Sequence, residues 1–478
     1  MIELDSEKRD IMQAQDSLRR RNNKRTDLTQ NGTKIPEKKE KEPEFVHRES
    51  LLTILMEESL HIKAIYHIFV AILQIIQGKS IFHRLNVAIA SVVYGFGDIK
   101  RAFKIWLFEL SLALLFYPGL RIYAAIRKLI TNNSRACQVW AAIGLLSLIA
   151  MEGILIGATC WDLAEKHLAV GSSVAVTCEM FRFAMKICAV TVDCIPRCHG
   201  NGTSLPSFQQ YGYFLFAPTL LYRDSYPRTK KIRWGIVLFH FSEVAAVIFY
   251  NCFLWERFIL PYWSDYGKKP QVEAGTVVRG MFACVLPGLI SFLCGFYCLL
   301  HAWHNAFAEI MTFGDRRFYE DWWTKSRYSN YYRAWNLVVS SWLRDYIFRP
   351  IAPYAGRPVA YVVVFFVSSV AHEIILALSF GFFYPVLFLQ FGVMGVLLLP
   401  LTASAGRRFP SIFNLLMWLS FFIGTGMLWS LYPMEYFARK NCPPSKMDSF
   451  FVPKSWSCPE IILKPNWTFE NPFDLEHY

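Results

Sequence analysis

The residue with the clearest capacity for chemistry is His372. It stands between Arg357 and Arg407, and among the 49 intervening residues only His372 and Glu373 can carry charge near neutral pH. The first half of that stretch, VAYVVVFFVSSVAHEIILALSFGFF, is apolar and longer than the ~20 residues that cross a bilayer. An ionisable pair at membrane depth is expensive to hold, so it points to function. On a helix, Ser368 and Ser369 share the face of His372, one turn back, while Glu373 turns away. An apolar setting disfavours the imidazolium ion, and a neutral ring can take a proton from a hydroxyl as a general base. The competing reading is a histidine that bonds a neighbouring helix and only packs.

Three further constellations carry polar groups into apolar surroundings. Asn336, in RAWN, must find partners in an aromatic helix, and its amide could donate to an oxyanion. An interhelical hydrogen bond would satisfy it equally. The run FYEDWWT, Phe318 to Thr324, packs four aromatic and two acidic side chains into seven residues. An interfacial aromatic belt explains the rings but not the acids or the flanking Arg316, Arg317, Lys325 and Arg327. From Asp315 to Arg349 seven basic and four acidic residues leave a net +3, suited to a phosphorylated ligand. His301, Asn305 and Glu309 recur every four residues and form one polar stripe on an apolar helix. The stripe reads as an interior network or an aqueous entry. There is no GxSxG elbow, HExxH, P-loop or GxGxxG, and no metal-ligand spacing. Direct transfer without a covalent enzyme intermediate is the economical mechanism.

The elements that must position these residues follow from composition. The chain has 478 residues, 54% hydrophobic and only 18% charged, with mean hydropathy +0.26. Such a chain is a polytopic membrane protein. Its +13 formal charge fits cytosol-facing loops rather than nucleic-acid binding. Nine spans are expected, at about 62–82, 105–124, 139–160, 168–190, 234–254, 277–303, 358–380, 382–401 and 411–432. GFFYP (Gly381–Pro385) punctuates two of them. Residues 328–348 are expected as an amphipathic helix at the cytosolic face. Loop charge places the N-terminus and Tyr222–Trp234 in the cytosol, although the 83–104 loop runs against the rule. The tail is then lumenal, where the Asn466 sequon is usable and Cys442 and Cys458 can form a disulfide. The Asn31 sequon stays cytosolic. Residues 1–50 form a charged, disordered head without the shape of a cleavable signal peptide. Residues 51–440 form the membrane domain and 441–478 the lumenal tail.

FYEDWWT resembles the FYxDWWN signature of the membrane-bound O-acyltransferase (MBOAT) superfamily. EMFRFAMK, YFLFAPTLLYRDSYPR, LHAWHNAFAEI, SRYSNYYRAWN, VAHE, FFYPVLF, ARKNC and PKSWSC are similar to its sterol O-acyltransferase branch, over roughly residues 55–458. The resemblance implies an all-α MBOAT fold with about nine transmembrane helices and amphipathic cytosolic-face helices. It implies an endoplasmic-reticulum enzyme that moves a fatty acyl group from acyl-CoA to a sterol 3-hydroxyl, without cofactor or metal. His372 and Asn336 match the family's catalytic residues. Asn330, Tyr332, Arg333, Trp335 and Ser368 match its acyl-CoA contacts, and Phe318, Tyr319, Asp321, Trp322 and Trp323 its signature. A lumenal disulfide between Cys442 and Cys458 and a homodimer or homotetramer are also implied. Two positions depart from the pattern: Thr324 replaces the signature's final Asn, and Ser340 stands where a His is common.

On this reading His372 accepts the hydroxyl proton while Asn336 orients the groups or steadies the oxyanion, with the CoA phosphates held by residues 315–345. Rival acceptors are diacylglycerol or a long-chain alcohol. A lipid transporter or scaffold is the non-enzymatic rival, although the chain lacks the inverted repeat and paired interrupted helices of many transporters.

Overall fold

In the computed structural model the described residues are 45–76, 89–90, 92–130, 133–198 and 205–462. Both sequons lie outside them, as do residues 1–44 of the expected disordered head. Arg48 of that head is held instead by backbone hydrogen bonds to Gly314 and Arg316.

Among the described residues seven helices are long and apolar enough to cross a membrane: Val92–Leu129, Ser134–Glu165, Trp234–Trp263, Ala274–Ile310, Leu337–Phe380, Phe388–Arg408 and Pro410–Asn441. Their outward faces carry exposed Leu, Ile, Val and Phe, as lipid contact requires. Of the other two expected spans, 168–190 falls on the helix Val170–Cys194, and 62–82 on the helix Leu60–Ile76, with residues 77–82 outside the described residues. Val170–Cys194 departs from an apolar span because it carries Glu179, Arg182, Lys186 and Asp193. It forms an inner post of the bundle, with Met180, Phe183, Ile187 and Val190 fully buried.

EMFRFAMK belongs to that post and closes a helix end. Lys186, 1% exposed, donates from Nζ to the carbonyls of Phe214 (2.5 Å) and Ala217 (2.8 Å), and Arg182 donates to Leu215. These carbonyls end the helix Phe208–Phe216 and have no intrahelical donor. Arg182 also forks onto Glu179 at 2.6 and 2.7 Å, and Trp106 Nε1 donates to the same carboxylate at 2.9 Å.

Residues 328–348 do not form one surface helix. Tyr328–Trp335 stops at Asn336, whose φ of −141° and ψ of 94° are extended. A second helix starts at Leu337 and runs on through Phe348 to Phe380. It is kinked at Gly356, at φ +82° and ψ 160°, two residues before Pro358. Gly381, at φ +77°, ends it. The next membrane-length helix is Phe388–Arg408 rather than 382–401, because FFYP forms a bend and a turn between the two helices.

Cys442 and Cys458 form the expected disulfide, with Cα atoms 6.2 Å apart. The tail is further tied by Glu460–Ile462, which pairs in parallel with Gln271–Glu273. That pair is the one sheet among the described residues. Buried Glu435 accepts the Lys454 and Ser455 amides, each at 2.8 Å, and completes the anchor.

Candidate functional site

His372 lies on the kinked helix beyond Gly356. Its Nδ1 is 2.7 Å from the Ser368 carbonyl oxygen. A carbonyl oxygen only accepts, so Nδ1 carries the proton and the neutral ring keeps its lone pair on Nε2. The side chain is exposed in the isolated chain, although Ser368, Ser369 and Glu373 beside it are buried. Nε2 has no hydrogen-bond partner among the described residues. Glu373 points elsewhere, as its helical position requires. It accepts the Phe388 amide and the Tyr432 hydroxyl, each at 2.9 Å, and so fixes the start of the helix that follows.

That helix supplies the wall of the site. Phe391 packs edge-on against His372, with centroids 5.6 Å apart, and against Tyr332 at 5.2 Å. Close approach is possible because Gly392 and Gly395 carry no side chain. A Cβ on Gly392 would lie 2.6 Å from Ser369 Oγ, and one on Gly395 would lie 3.0 Å from the Tyr332 hydroxyl. The sequence reading missed Phe391, one phenylalanine in an apolar run. Two small residues three apart were the available signal.

Asn336 is half-buried and works as a helix N-cap: its Oδ1 accepts the Val339 amide at 3.1 Å. Its Nδ2 has no hydrogen-bond partner among the described residues and can donate to a ligand. No hydrogen bond joins it to His372. Tyr332, one helical turn before it, reaches His372's surroundings through Phe391. Ser340, the departure from the family pattern, donates to the Arg333 carbonyl at 3.1 Å and bridges the break at Asn336.

The signature residues are the frame of this break. Leu337 N–H donates to the Phe318 carbonyl and Glu320 N–H to the Ala334 carbonyl, both at 2.8 Å. The loop thus grips the backbone on either side of Asn336. Phe318, Tyr319 and Trp322 are buried. Trp322 and Trp335 are 4.7 Å apart, and Phe292 and Phe296 each lie 4.7 Å from Trp335. Trp335 is therefore part of this aromatic packing. The Trp323 carbonyl accepts from Asn414 at 2.9 Å and Trp418 at 3.3 Å. Burial pushes the Asp321 carboxyl up, but hydrogen bonds from Lys325 (2.5 Å) and Thr324 (2.7 Å) outweigh it and hold the group below the usual carboxylate range.

The cations expected to hold phosphates divide into two sets. Arg316 is 2% exposed and bound to Glu309, so it cannot meet a ligand. Arg317 pairs with Glu320, Lys325 with Asp321, and Arg344 and Arg349 with Asp345. Arg333 is exposed and pairs with no carboxylate among the described residues. Its guanidinium donates to Asn330 Oδ1 at 2.7 Å, which holds the two side chains together on one helix. The stripe of His301, Asn305 and Glu309 is interior: Glu309 binds Arg233 and Arg316, Asn305 donates to the His301 carbonyl at 2.9 Å, and His301 Nδ1 meets the Tyr319 hydroxyl at 2.7 Å. No group of three or more His, Cys, Asp or Glu side chains among the described residues could hold a metal.

Comparison with known proteins gives one answer. The sequence profile of the membrane-bound O-acyltransferase family matches residues 127–433. Sterol O-acyltransferase 2 of Homo sapiens is 35% identical over 437 residues, covering 87% of this chain and 81% of that protein. Sterol O-acyltransferase 1 of Mus musculus is 34% identical over 435 residues, covering 87% and 79%.

Proposed function

The chain belongs to the membrane-bound O-acyltransferase family, and from that premise we propose that it transfers a long-chain acyl group from acyl-CoA to the 3-hydroxyl of a sterol. The observation that carries this reading is His372: Nδ1 is committed to the Ser368 carbonyl, which leaves the Nε2 lone pair to accept a proton. The acceptor hydroxyl gives its proton to Nε2 as its oxygen attacks the thioester carbonyl. The tetrahedral oxyanion takes a hydrogen bond from Asn336 Nδ2. Collapse breaks the carbon–sulfur bond, and the departing CoA sulfur recovers the proton from Nε2. Arg333, with Asn330 holding it, meets the anionic part of acyl-CoA, and Tyr332 and Ser368 line its path.

Acyl-CoA is consumed as a co-substrate, and the step needs no resident cofactor or metal. The reading includes residence in the endoplasmic reticulum, with the N-terminus cytosolic and the tail lumenal. The Cys442–Cys458 bond supports an oxidising environment for the tail. Assembly as a homodimer or homotetramer belongs to the same proposal.

The test is acceptor choice. Purified protein receives labelled oleoyl-CoA with cholesterol, diacylglycerol and a long-chain alcohol in competition, and the products are separated by thin-layer chromatography. Predominant sterol ester is the expected result. Predominant triacylglycerol or wax ester would replace the sterol with another acceptor, and CoA-independent lipid flux without any ester would overturn the enzymatic reading.

A further inference from the structure

The backbone run Val46–Ser50 lies directly on the segment that leads into the signature loop. Arg48 N–H donates to the Gly314 carbonyl and Arg316 N–H to the Arg48 carbonyl, both at 2.9 Å, so the two runs pair in parallel. The Arg48 guanidinium forks onto Asp315 at 2.8 and 3.2 Å, and the Val46 amide meets the same carboxylate at 3.2 Å. Glu49 faces Arg233 and Arg316, each at 3.6 Å. Ser50 Oγ lies 3.2 Å from His301 Nδ1, the nitrogen that also meets Tyr319. Leu52 N–H donates to the Tyr319 hydroxyl at 3.4 Å.

The far end of the segment 314–320 grips the backbone on either side of Asn336. The Phe318 carbonyl takes the Leu337 amide, and the Glu320 amide reaches the Ala334 carbonyl. Only Arg317 separates the Arg316 amide bound by the N-terminal run from the Phe318 carbonyl that fixes Leu337. Asp315 is 7% exposed, and removing its forked partner leaves a nearly buried carboxylate without its guanidinium, a change that displaces the local chain.

We propose that Val46–Ser50 is a strap that positions Asn336 for the reaction, with Arg48 as its principal positioning residue. The proposal rests on the reading that Asn336 acts on the oxyanion. A strap of this kind works without touching either substrate. Its loss should lower kcat and leave KM for acyl-CoA and sterol unchanged, the signature of an interaction felt in the transition state. A strap that only anchors the N-terminus would change yield or melting temperature and leave kcat of the folded protein alone.

The experiment compares full-length Arg48→Ala, Asn336→Ala and the double variant with the parent. Arg48→Ala is expected to lower kcat about tenfold, within the ~100-fold that a 1 Å misplacement of a reacting group can cause, at unchanged KM. In the Asn336→Ala background it should lower the residual rate no further. Exchange of the pair, Arg48→Asp with Asp315→Arg, should recover part of the loss. If Arg48→Ala does not accumulate, Arg48→Lys, which keeps the charge and loses the fork, takes its place in the same cycle. Unchanged kcat in either Arg48 variant overturns the strap. A tenfold loss that persists in the Asn336→Ala background overturns its action through Asn336. Full activity of Asn336→Ala by itself overturns the underlying reading of Asn336, whatever Arg48 does.

Discussion

Two regions carry strong polarity into the helical bundle, and they treat it in opposite ways. On Val170–Cys194, the Glu179 carboxylate is held by Arg182 and Trp106, and the Lys186 ammonium by two backbone carbonyls. Around His372 the polar groups are only half committed. Among the described residues His372 Nε2 and Asn336 Nδ2 have no hydrogen-bond partner, and Arg333 pairs with no carboxylate. Burying a polar group is tolerated when it is hydrogen-bonded. A region that satisfies itself is framework, whereas the region that leaves donors and acceptors open is the one in which the proposed reaction places its ligand.

The sharpest way to break this contrast is to remove the open groups. His372→Ala should lower the rate of ester formation ~100- to 10,000-fold, the usual contribution of a general base, while the protein keeps its yield and its elution position in gel filtration. A variant with near-parental turnover would move the chemistry elsewhere. Asn336 follows, at ~100- to 1,000-fold for loss of an oxyanion donor. Because Asn336 is also an N-cap, alanine confounds two roles, and Asn336→Asp separates them. Aspartate caps a helix as well as asparagine but offers no amide N–H. It should therefore melt like the parent and remain as slow as Asn336→Ala. Recovery of rate by aspartate would make the cap, not the amide, the important feature.

The sequence disclosed these regions unequally, for physical reasons. Long apolar helices follow from local composition, and so does the helix that carries His372. The break at Asn336 did not, because it is fixed by pairing with Phe318 and Glu320, a contact that residue types do not announce. The basic residues of 315–349 looked like one ligand-facing set. Arg316 left that set because Glu309, at the end of the preceding helix, and Glu49, from the N-terminal run, meet it in the interior. EMFRFAMK was recognisable as a motif, yet its task depends on where the helix Phe208–Phe216 happens to end. What stayed illegible was partnership across the chain.

Lys186 tests the framework side. Lys186→Met keeps most of the side-chain length and removes the ammonium, leaving the Phe214 and Ala217 carbonyls without that donor. An orphaned buried acceptor costs about 1–3 kcal/mol. Thermal unfolding in detergent should shift down by several degrees, with kcat per folded molecule unchanged. A selective fall in kcat at parental stability would place Lys186 with the open region instead.

The smallest effect is expected at Thr324, where the chain departs from its family's signature. The departure stands at the last position of the signature, but Thr324 Oγ1 donates to the Asp321 carboxylate at 2.7 Å and to its backbone carbonyl at 2.8 Å, so the side chain closes a turn. An asparagine amide can also donate to that carboxylate, and Thr324→Asn should leave kcat/KM within about twofold of the parent, far below the loss from a missing oxyanion donor. Thr324→Val removes the donor, and its effect has a predictable pH window. Asp321 is held below the ordinary carboxylate range. A depressed carboxyl contributes stability that is complete above its unfolded value, ~3.9, and is lost as pH falls through the lower folded value. The gap in melting temperature between parent and Thr324→Val should hold steady from neutral pH downward and close only in the acid range. If Thr324→Asn instead changed kcat several-fold, the signature loop would act directly on the reacting groups rather than through the backbone grip at Phe318 and Glu320.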